Sequence, residues 1–460
     1  MADYFSGSLL RRRLFSGSAW AFGGKIGGAT IGVVTNGLLA RLLSPQEFGA
    51  YFLAISVVSL GAVIGSLGLA KPAVRFVAEG MGLNRSGRVR RAIYTVLGLG
   101  VLGALVVSLA YLLVVGELVG RYLFDSSVLV AVTGLMAGWM AMSVVQELIA
   151  ETFRGFHDFR MATLLGSLAS GGKSGALVMR GLLLACLVLL WLKGGETDLK
   201  TIMLVSLGSG SVSTLLSVWL LRSRASSLGL QGAENPLSPK QVLHVSLPIL
   251  AIELTAFVLQ SSDIWILGAL RSQEEVALYS AAARLVALVA MPLLMVNLVL
   301  PPIIAELYAQ GKTRKLERTI RTFSTVAGVP SMLVLTVFIL LGEPILGLVY
   351  GDYYRSAVAV LVLLSAAKVA AVWSGSCGLV LQMTDHQASM LRVSILTSPF
   401  FLVGALFAAQ RYGPVGVAGV AAAITSLQNV ILVLVAKKKT GMWTHVTFSL
   451  LPLRKVLSNR

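Results

Sequence analysis

The feature that most constrains this chain is a long stretch that occurs twice. The first copy runs from Ser44 to Arg91, and the second begins at Ser272. Three residues of each copy align at one constant offset: Ser44 with Ser272, Glu47 with Glu275, and Tyr51 with Tyr279. Ser44, Pro45 and Gln46–Glu47 predict a helix start, with an N-cap, a first-turn proline and an acid that suits the helix dipole, and the chain repeats the serine and the acid from Ser272. A two-fold repeat in an apolar chain is typical of transporters whose substrate site lies between the two halves.

The repeat lies in a membrane protein. Of the 460 residues, 56% are hydrophobic and 13% are charged, whereas a soluble domain carries about 25% charged residues. Apolar runs repeatedly reach about 20 residues, the length that crosses a bilayer as a helix. Cys186 and Cys377 are the two cysteines, and the four histidines are scattered, so the sequence predicts no disulfide framework and no metal site.

About twelve spans can be placed, six in each half. They are approximately Ser16–Leu43, Ser44–Ala70, Arg90–Val115, Val128–Ala150, Met161–Leu192, Thr201–Leu221, Val242–Leu270, Ser272–Leu300, Ile320–Leu341, Ser356–Leu381, Met390–Ala409 and Val415–Ala436. The predicted fold is therefore an all-α polytopic membrane protein.

Loop charges set the predicted orientation. Lysine and arginine total 38 against 20 acidic residues, a net charge of +18. The basic residues concentrate after spans two, eight and twelve, so both termini are expected in the cytoplasm. The domains expected are an N-lobe (1–222), a cytoplasmic linker (223–240), a C-lobe (241–437) and a basic interfacial tail (438–460), with the two lobes in parallel repeat.

Ionisable residues inside spans are costly and indicate function or pairing. Five cations and two acids fall at this depth: Lys25, Lys173, Arg180, Arg284 and Lys368, with Glu253 and Asp263. A continuous helix over span five would stack Lys173 and Arg180 on one face, where two like charges favour a bound anion such as a phosphate. The alternative is that Lys25 pairs with Glu253, its repeat equivalent, while the other cations reach an interface.

Asp263 is the candidate for proton or sodium coupling, because a carboxylate in a medium of low dielectric constant tends to hold a proton. The alternative is a structural pair with one of the lysines. No other cofactor is expected. The segment GSLASGGKS (Gly166–Ser174) looks like a phosphate-binding loop, but it lies in an apolar span without a preceding strand, so it is not interpreted as a nucleotide site.

Three passages carry a family resemblance: Leu38–Glu79, Ser365–Gln387 (ending LVLQMTDHQ) and Arg411–Leu434. In this order they resemble the polysaccharide transport, repeat-unit flippase-like family of the multidrug/oligosaccharidyl-lipid/polysaccharide exporter superfamily. The resemblance implies two six-helix lobes in a V shape around a cavity. It also implies flipping of an oligosaccharide linked to undecaprenyl pyrophosphate, such as an O-antigen unit, across a bacterial or archaeal cytoplasmic membrane.

The cations listed above would then receive the pyrophosphate. Anionic membrane lipids and polysaccharide polymerase or assembly proteins are the expected partners, and nucleic acid is not. The main alternative is a multidrug antiporter driven by H⁺ or Na⁺, although acids rather than cations would suit cationic drugs. A membrane-embedded polymerase or ligase would need a large outer loop, and the outer loops here are short, so the chain is not expected to be an enzyme. A non-transporting scaffold would leave the charges at depth without a role.

Overall fold

A computed structural model describes residues 7–83, 85–168, 175–194, 197–226 and 238–447, with the backbone alone for residues 7–22, 298 and 302. These residues form helices and short connections, with no β-strand among them. The chain divides into two compact units, Met1–Ser261 and Ser262–Arg460, which are called unit 1 and unit 2 below.

Unit 1 begins with ten helices. They are α1 (Gly7–Leu42), α2 (Pro45–Gly65), α3 (Ala70–Gly82), α4 (Ser86–Ala110), α5 (Gly116–Leu118), α6 (Ser127–Ala131), α7 (Thr133–Gly155), α8 (Phe159–Leu164), α9 (Leu177–Leu192) and α10 (Leu199–Ser226). Two π-helical segments, Tyr111–Val115 and Val119–Leu123, flank α5 and extend α4 into one long rod. The next helix, α11 (Pro239–Leu270), begins in unit 1 and ends in unit 2. Residues 227–237 of the predicted linker lie outside the described residues.

Unit 2 continues with α12 (Gln273–Ala309), α13 (Thr313–Tyr350), a 3₁₀ turn (Asp352–Ala357), α14 (Val358–Ser374), α15 (Cys377–Met383) and α16 (Gln387–Thr440). Gly413 adopts φ 58° and ψ −142°, which no helix contains, so α16 consists of two helical segments, 387–412 and 414–440. Pro414 then starts the second segment, a position where its missing N–H leaves no intrahelical bond unmade.

The predicted membrane fold is confirmed. Eight helices in the described part of the chain are long and apolar enough to cross a membrane. One of them is α16, which contains two of the predicted spans on either side of Gly413. The shorter apolar helix α9 and the helices α1 and α7 cover the remaining predicted spans. Every predicted span therefore overlaps at least one helix.

Each copy of the repeat begins with a serine that caps a helix. The Ser44 side chain accepts a hydrogen bond from Glu47 N, while the Glu47 carboxylate accepts one from Ser44 N at 3.2 Å. Ser272 likewise accepts from Glu275 N. Each serine cap satisfies one backbone donor that a helix start leaves open, and in the first copy the reciprocal bond from Ser44 N satisfies a second. The predicted helix starts at both serines are confirmed.

The core of unit 1 forms around α7. Its side chains Trp139, Met140 and Leu148 are almost completely buried, and Ile149 and Phe153 join one apolar cluster with residues of α3, α4, α8 and α10. In unit 2 one cluster joins α12, α13 and α15, and a second joins α15 to both segments of α16. Each unit therefore has a core of its own.

Span four is interrupted at Val132, between α6 and α7, and two further predicted spans are divided at a residue with positive φ. Span five is divided: α8 ends at Leu164, and α9 begins only at Leu177, after Ala176 at φ 48°. Span ten is divided between α14 and α15 at Gly375, where φ is 72°. Both breaks fall in serine- and glycine-containing sequence, which has weak helix propensity. Prediction of one unbroken helix at each place was wrong.

The chain that follows α16 packs against unit 2. This C-terminal strap, residues 441–447, places Met442 in a core cluster. Val446 N donates to Trp373 O at 2.9 Å, and Thr444 Oγ1 donates to Ser374 O at 2.9 Å. The strap therefore supplies hydrogen-bond donors to carbonyl groups at the end of α14, where the helix breaks. Residues 448–460 of the predicted interfacial tail lie outside the described residues.

Candidate functional site

In unit 1, α1 presents a ridge of glycines to α8 and α9. A Cβ atom added to Gly24 would overlap Thr163 of α8, and one added to Gly28 would contact Gly175 O at 3.5 Å. Small residues spaced by four along a helix let a neighbouring backbone approach closely. The glycines on this face of α1 therefore allow its neighbours to approach the helix closely.

Arg180 lies at the point where α9 meets this ridge. Its Nη1 donates a hydrogen bond to Gly28 O at 2.9 Å, and the same atom would be 3.0 Å from a Cβ added to Gly32. The side chain is half-buried. Because glycine leaves the carbonyl accessible and the space above it empty, the ridge fixes the guanidinium against α1 at membrane depth.

Lys173 lies outside the described residues. The expected stacking of Lys173 and Arg180 on one helix face needed an unbroken helix through both residues, and α9 starts at Leu177. The premise of one continuous helix is therefore wrong, whereas the proximity of the two cations and their role in substrate binding stay predictions.

Lys25 points to a different neighbourhood from Arg180. It is half-buried on α1, within electrostatic range of Arg154 at the end of α7. Arg154 Nη1 donates to both carboxylate oxygens of Glu151, at 2.5 and 2.7 Å. Glu147, one turn earlier on α7, is also buried. Glu253 is half-buried on α11, and its pairing with Lys25 stays a prediction.

In unit 2 the structure brings the predicted site residues Asp263 and Lys368 together with Tyr279, which was not predicted as a site residue. Tyr279 OH donates to Asp263 Oδ2 at 2.7 Å, and Ile264 N donates to Asp263 Oδ1 at 2.8 Å. Lys368 on α14 lies close enough to attract the Asp263 carboxylate electrostatically. Tyr279 is 2% exposed, so its ring and hydroxyl hold the carboxylate in one orientation. Asp263, Tyr279 and Lys368 are called the acid cluster below.

Arg284 is exposed on α12 and lies near the Tyr350 hydroxyl. The candidate residues thus separate into two groups, one in each unit. Lys25, Arg180 and Glu253 belong to unit 1, whereas Asp263, Arg284 and Lys368 belong to unit 2. No three His, Cys, Asp or Glu side chains of the described residues come together as a metal ligand set.

Sequence reasoning missed two residues of these groups. Tyr279 was used only to align the repeat, although the same alignment places Asp263 opposite Thr35, a buried polar residue of α1. This difference between the two copies, a hydroxyl in one and an acid in the other, was a signal that side chains around Asp263, such as Tyr279, belong to the site. Arg154 was missed because it follows the last apolar residues of α7 and resembles an ordinary end-of-helix charge.

Comparison with known proteins identifies the family. The family described as "Polysaccharide biosynthesis protein" has a sequence model that matches residues 14–308, more than half of the chain. The chain belongs to this family. The predicted membership in the multidrug/oligosaccharidyl-lipid/polysaccharide superfamily is confirmed, and the chain is a multi-pass membrane protein. No curated protein matches the chain.

Solved structures support the fold of this family member. The chain is similar to an inward-facing multidrug resistance MATE transporter, with TM-score 0.74 and 15% identity over 90% of this chain and 94% of the other. It is also similar to a transporter from Pyrococcus furiosus described by the reverse polarity of its binding pocket, with TM-score 0.64 and 15% identity over 92% and 95%. A variant of a Vibrio cholerae MATE transporter gives TM-score 0.61 and 16% identity over 94% and 97%.

Proposed function

We propose that this protein is a flippase that moves a saccharide linked to a polyprenyl pyrophosphate from the inner to the outer leaflet of the cytoplasmic membrane. The observation that carries the proposal is the fixed position of Arg180 against the glycine ridge of α1. A guanidinium can bind phosphate oxygens with two parallel hydrogen bonds, so a pre-positioned arginine at membrane depth suits a pyrophosphate headgroup.

The other cations support the same substrate class. Lys25, Lys173, Arg284 and Lys368 all lie in spans predicted from sequence, against Glu253 and Asp263. Pyrophosphate is anionic, and attraction in a medium of low dielectric constant is stronger than in water. Family membership in polysaccharide biosynthesis directs the proposal from an anionic lipid in general to a lipid-linked saccharide.

The acid cluster is the element proposed to couple transport to a cation gradient. A carboxylate held by Tyr279 beside Lys368 can exchange its partner when a proton or Na⁺ arrives. The competing role is a permanent Asp263–Lys368 pair that only stabilises unit 2. Transport measured with and without an imposed proton or sodium gradient separates the two roles, because a permanent pair makes transport indifferent to both gradients.

A second candidate function is multidrug antiport, favoured by the likeness to MATE structures. The two functions differ in the charge of the transported molecule, which is anionic for the flippase and cationic for the antiporter. For proteoliposomes containing the full-length protein, the flippase hypothesis predicts translocation of a fluorescent polyprenyl-pyrophosphate disaccharide between the leaflets, so that a membrane-impermeant quencher removes a larger fraction of the fluorescence than in liposomes without the protein. It predicts no gradient-driven transport of ethidium. Ethidium transport without movement of the lipid-linked saccharide would establish the antiporter instead.

The orientation proposed places both termini in the cytoplasm, because basic loops remain inside. Reaction of a membrane-impermeant thiol reagent with a cysteine placed at Lys438 from the outside of intact cells would refute it. A cysteine at Tyr122, on the opposite predicted side, is the positive control and should react.

A further inference from the structure

A pocket of about 400 Å³ lies in unit 2, at a place where three connections meet. It is lined by residues of the α11–α12 junction, the start of α14 and the junction inside α16. The charged and aromatic residues that line it are Arg271, Glu275, Arg411 and Tyr412. Its volume is within the range of about 300–1,000 Å³ that small-molecule sites occupy. None of these residues was a predicted site residue.

The pocket has a built frame. Arg271 Nε donates to Ala409 O at 2.6 Å, and Arg271 Nη2 donates to Gln410 O at 2.7 Å. These bonds join the α11–α12 junction to the end of the first segment of α16. Gly413 then turns the chain at positive φ, and a Cβ atom there would lie 2.8 Å from Glu275 Oε2. Glycine at this position therefore keeps the floor of the pocket open above the glutamate.

Glu275 Oε2 is the observation that points to a ligand. The atom is buried, and it accepts no hydrogen bond from any residue that the structure describes. The nearest charged donor, Arg271 Nε, is 3.8 Å away and donates to Ala409 O instead. A buried carboxylate oxygen without a donor costs about 1–3 kcal/mol or more, so a donor from a bound molecule is favourable there.

In the other copy of the repeat, the protein itself supplies a hydrogen-bond donor to the equivalent glutamate. Glu47, its equivalent in unit 1, accepts a hydrogen bond from Leu199 N, the first residue of α10, at 3.1 Å. In unit 2 the residues that follow Gly413 begin with Pro414, which has no N–H. Glu47 therefore has a donor from α10 in unit 1, whereas the equivalent Glu275 Oε2 in unit 2 faces the pocket without a donor from the described residues.

Other residues that line the pocket have chemistry complementary to this acceptor. Arg411 is exposed and lies over the Phe407 ring at 5.5 Å, and Tyr412 is 67% exposed. A guanidinium donates hydrogen bonds, a carboxylate accepts them, and an exposed aromatic ring packs on an apolar face. A sugar ring offers all three features at once, since its hydroxyls donate and accept while its C–H face is apolar. An inorganic anion would leave the Glu275 oxygen unsatisfied and add repulsion.

We propose that this pocket is a saccharide subsite, which binds one sugar unit of the transported glycan through Glu275, Arg411 and Tyr412. The proposal rests on the proposed flippase function. The predicted topology puts the three connections around the pocket on the outer side of the membrane, so the subsite would hold the glycan after it has crossed.

The test measures binding of free sugars to the purified full-length protein in detergent by saturation-transfer NMR. The probes are glucose, galactose, rhamnose, N-acetylglucosamine and glucuronate, each in turn, with inorganic phosphate as the anion control. At least one sugar should bind, and Arg411→Ala and Tyr412→Ala should each weaken it by at least about fivefold. Both residues are exposed, so neither change should unfold the protein.

The matched control is a second Arg–Tyr pair. Arg121 and Tyr122 lie on the helical rod that extends α4, with Arg121 paired to Glu117 at 3.2 Å and Tyr122 82% exposed. Arg121→Ala and Tyr122→Ala should leave sugar binding unchanged. The subsite is refuted if no sugar binds, if the pocket variants bind sugar as the wild type does, or if phosphate alone displaces every bound sugar.

Flipping measured on the same proteins separates this proposal from the proposed function. Wild-type protein that flips the lipid-linked disaccharide but binds no free sugar removes the subsite and leaves the flippase intact. Wild-type protein that binds sugar in a manner sensitive to Arg411 but flips nothing retains the subsite and removes the flippase.

Discussion

In unit 1 Glu47 of the repeat accepts a hydrogen bond from the first residue of α10, whereas in unit 2 its equivalent Glu275 lines a pocket. Ser44 and Ser272 each accept a hydrogen bond from the backbone N–H of the glutamate three residues later, and Tyr51 and Tyr279 are both buried. The partners of these shared residues differ. This contrast teaches that the duplicated residues build the two units, and that the residues opposite them determine which polar chemistry each unit can perform.

The same contrast holds at membrane depth. At the position where α11 carries Asp263, α1 carries Thr35, which is 8% exposed. Unit 1 places a guanidinium on a glycine ridge, and unit 2 places a carboxylate under a tyrosine beside a lysine. One unit therefore offers a group suited to an anionic headgroup, and the other a group able to exchange a proton or a cation.

The strongest way to break this contrast is to give unit 2 the residue of unit 1. Asp263→Thr removes the carboxylate beside Lys368, and an unbalanced charge inside a membrane costs about 2.5–3.5 kcal/mol, so transport should fall by about a hundredfold. Any residual flipping should no longer respond to proton or sodium gradients. Flipping in proteoliposomes with and without each gradient is the measurement.

The control removes the lysine as well. Asp263→Thr with Lys368→Met should recover the thermal stability lost in the single variant, because no charge is left unbalanced, but should not recover the gradient response. Unchanged transport with an unchanged gradient response in Asp263→Thr would show that the acid cluster has no part in coupling.

A smaller effect is expected from the arginine of unit 1. Arg180→Gln keeps an amide that can donate to Gly28 O but removes the charge, so flipping should fall by about tenfold while the fold is kept. Arg180→Lys retains the charge without the planar donors, so its flipping rate should lie between those of the wild type and Arg180→Gln. Arg121→Gln, at an exposed ion pair, is the matched control and should flip normally. Wild-type flipping by Arg180→Gln would remove Arg180 from the substrate path.

How much of this could be read from the sequence depends on the distance between partners along the chain. The caps at Ser44 and Ser272 are local, with serine and glutamate three residues apart, and they were predicted correctly. The approximate positions of the spans follow from apolar length, and each predicted span overlaps a helix, although some spans are divided. The bond from Arg180 to Gly28, by contrast, joins residues far apart in the chain. The sequence singled out Arg180 as a cation inside a span, but only packing shows that it meets Gly28.

The breaks in spans five and ten were missed for a related reason. Apolar length favours one long helix, and isolated glycines are common in membrane helices. What makes Gly375 a true break is its neighbour: a Cβ atom there would overlap Thr444 O of the strap. The strap itself was read as an interfacial tail, since nothing in a short aromatic and basic segment reveals that its backbone bonds to Trp373 and Ser374.

This break distinguishes unit 2 from unit 1, where α7 runs unbroken. Gly375→Ala should therefore destabilise the protein by about 2–4 kcal/mol, from the left-handed backbone conformation together with the backbone clash. Gly441→Ala is the matched control, because Gly441 has φ 73° but no atom within 4 Å of an added Cβ. Its cost should be only about 1 kcal/mol. Thermal unfolding in detergent measures both, and equal losses would show that the strap adds nothing at the break.

The smallest expected effect concerns the pH dependence of the strap. Burial, and next the positive charge of Arg321, lower the pKa of His445, although Glu317 opposes this. The packed strap therefore favours neutral His445, so its contribution to stability is complete above the ordinary histidine pKa of about 6.5 and is lost as the pH falls below it. Amide hydrogen exchange at Val446, corrected for the intrinsic rate, should show less protection at pH 5 than at pH 7.5. His445→Gln should remove that difference, whereas protection that stays constant with pH in the wild type would show that the strap does not sense the histidine's charge.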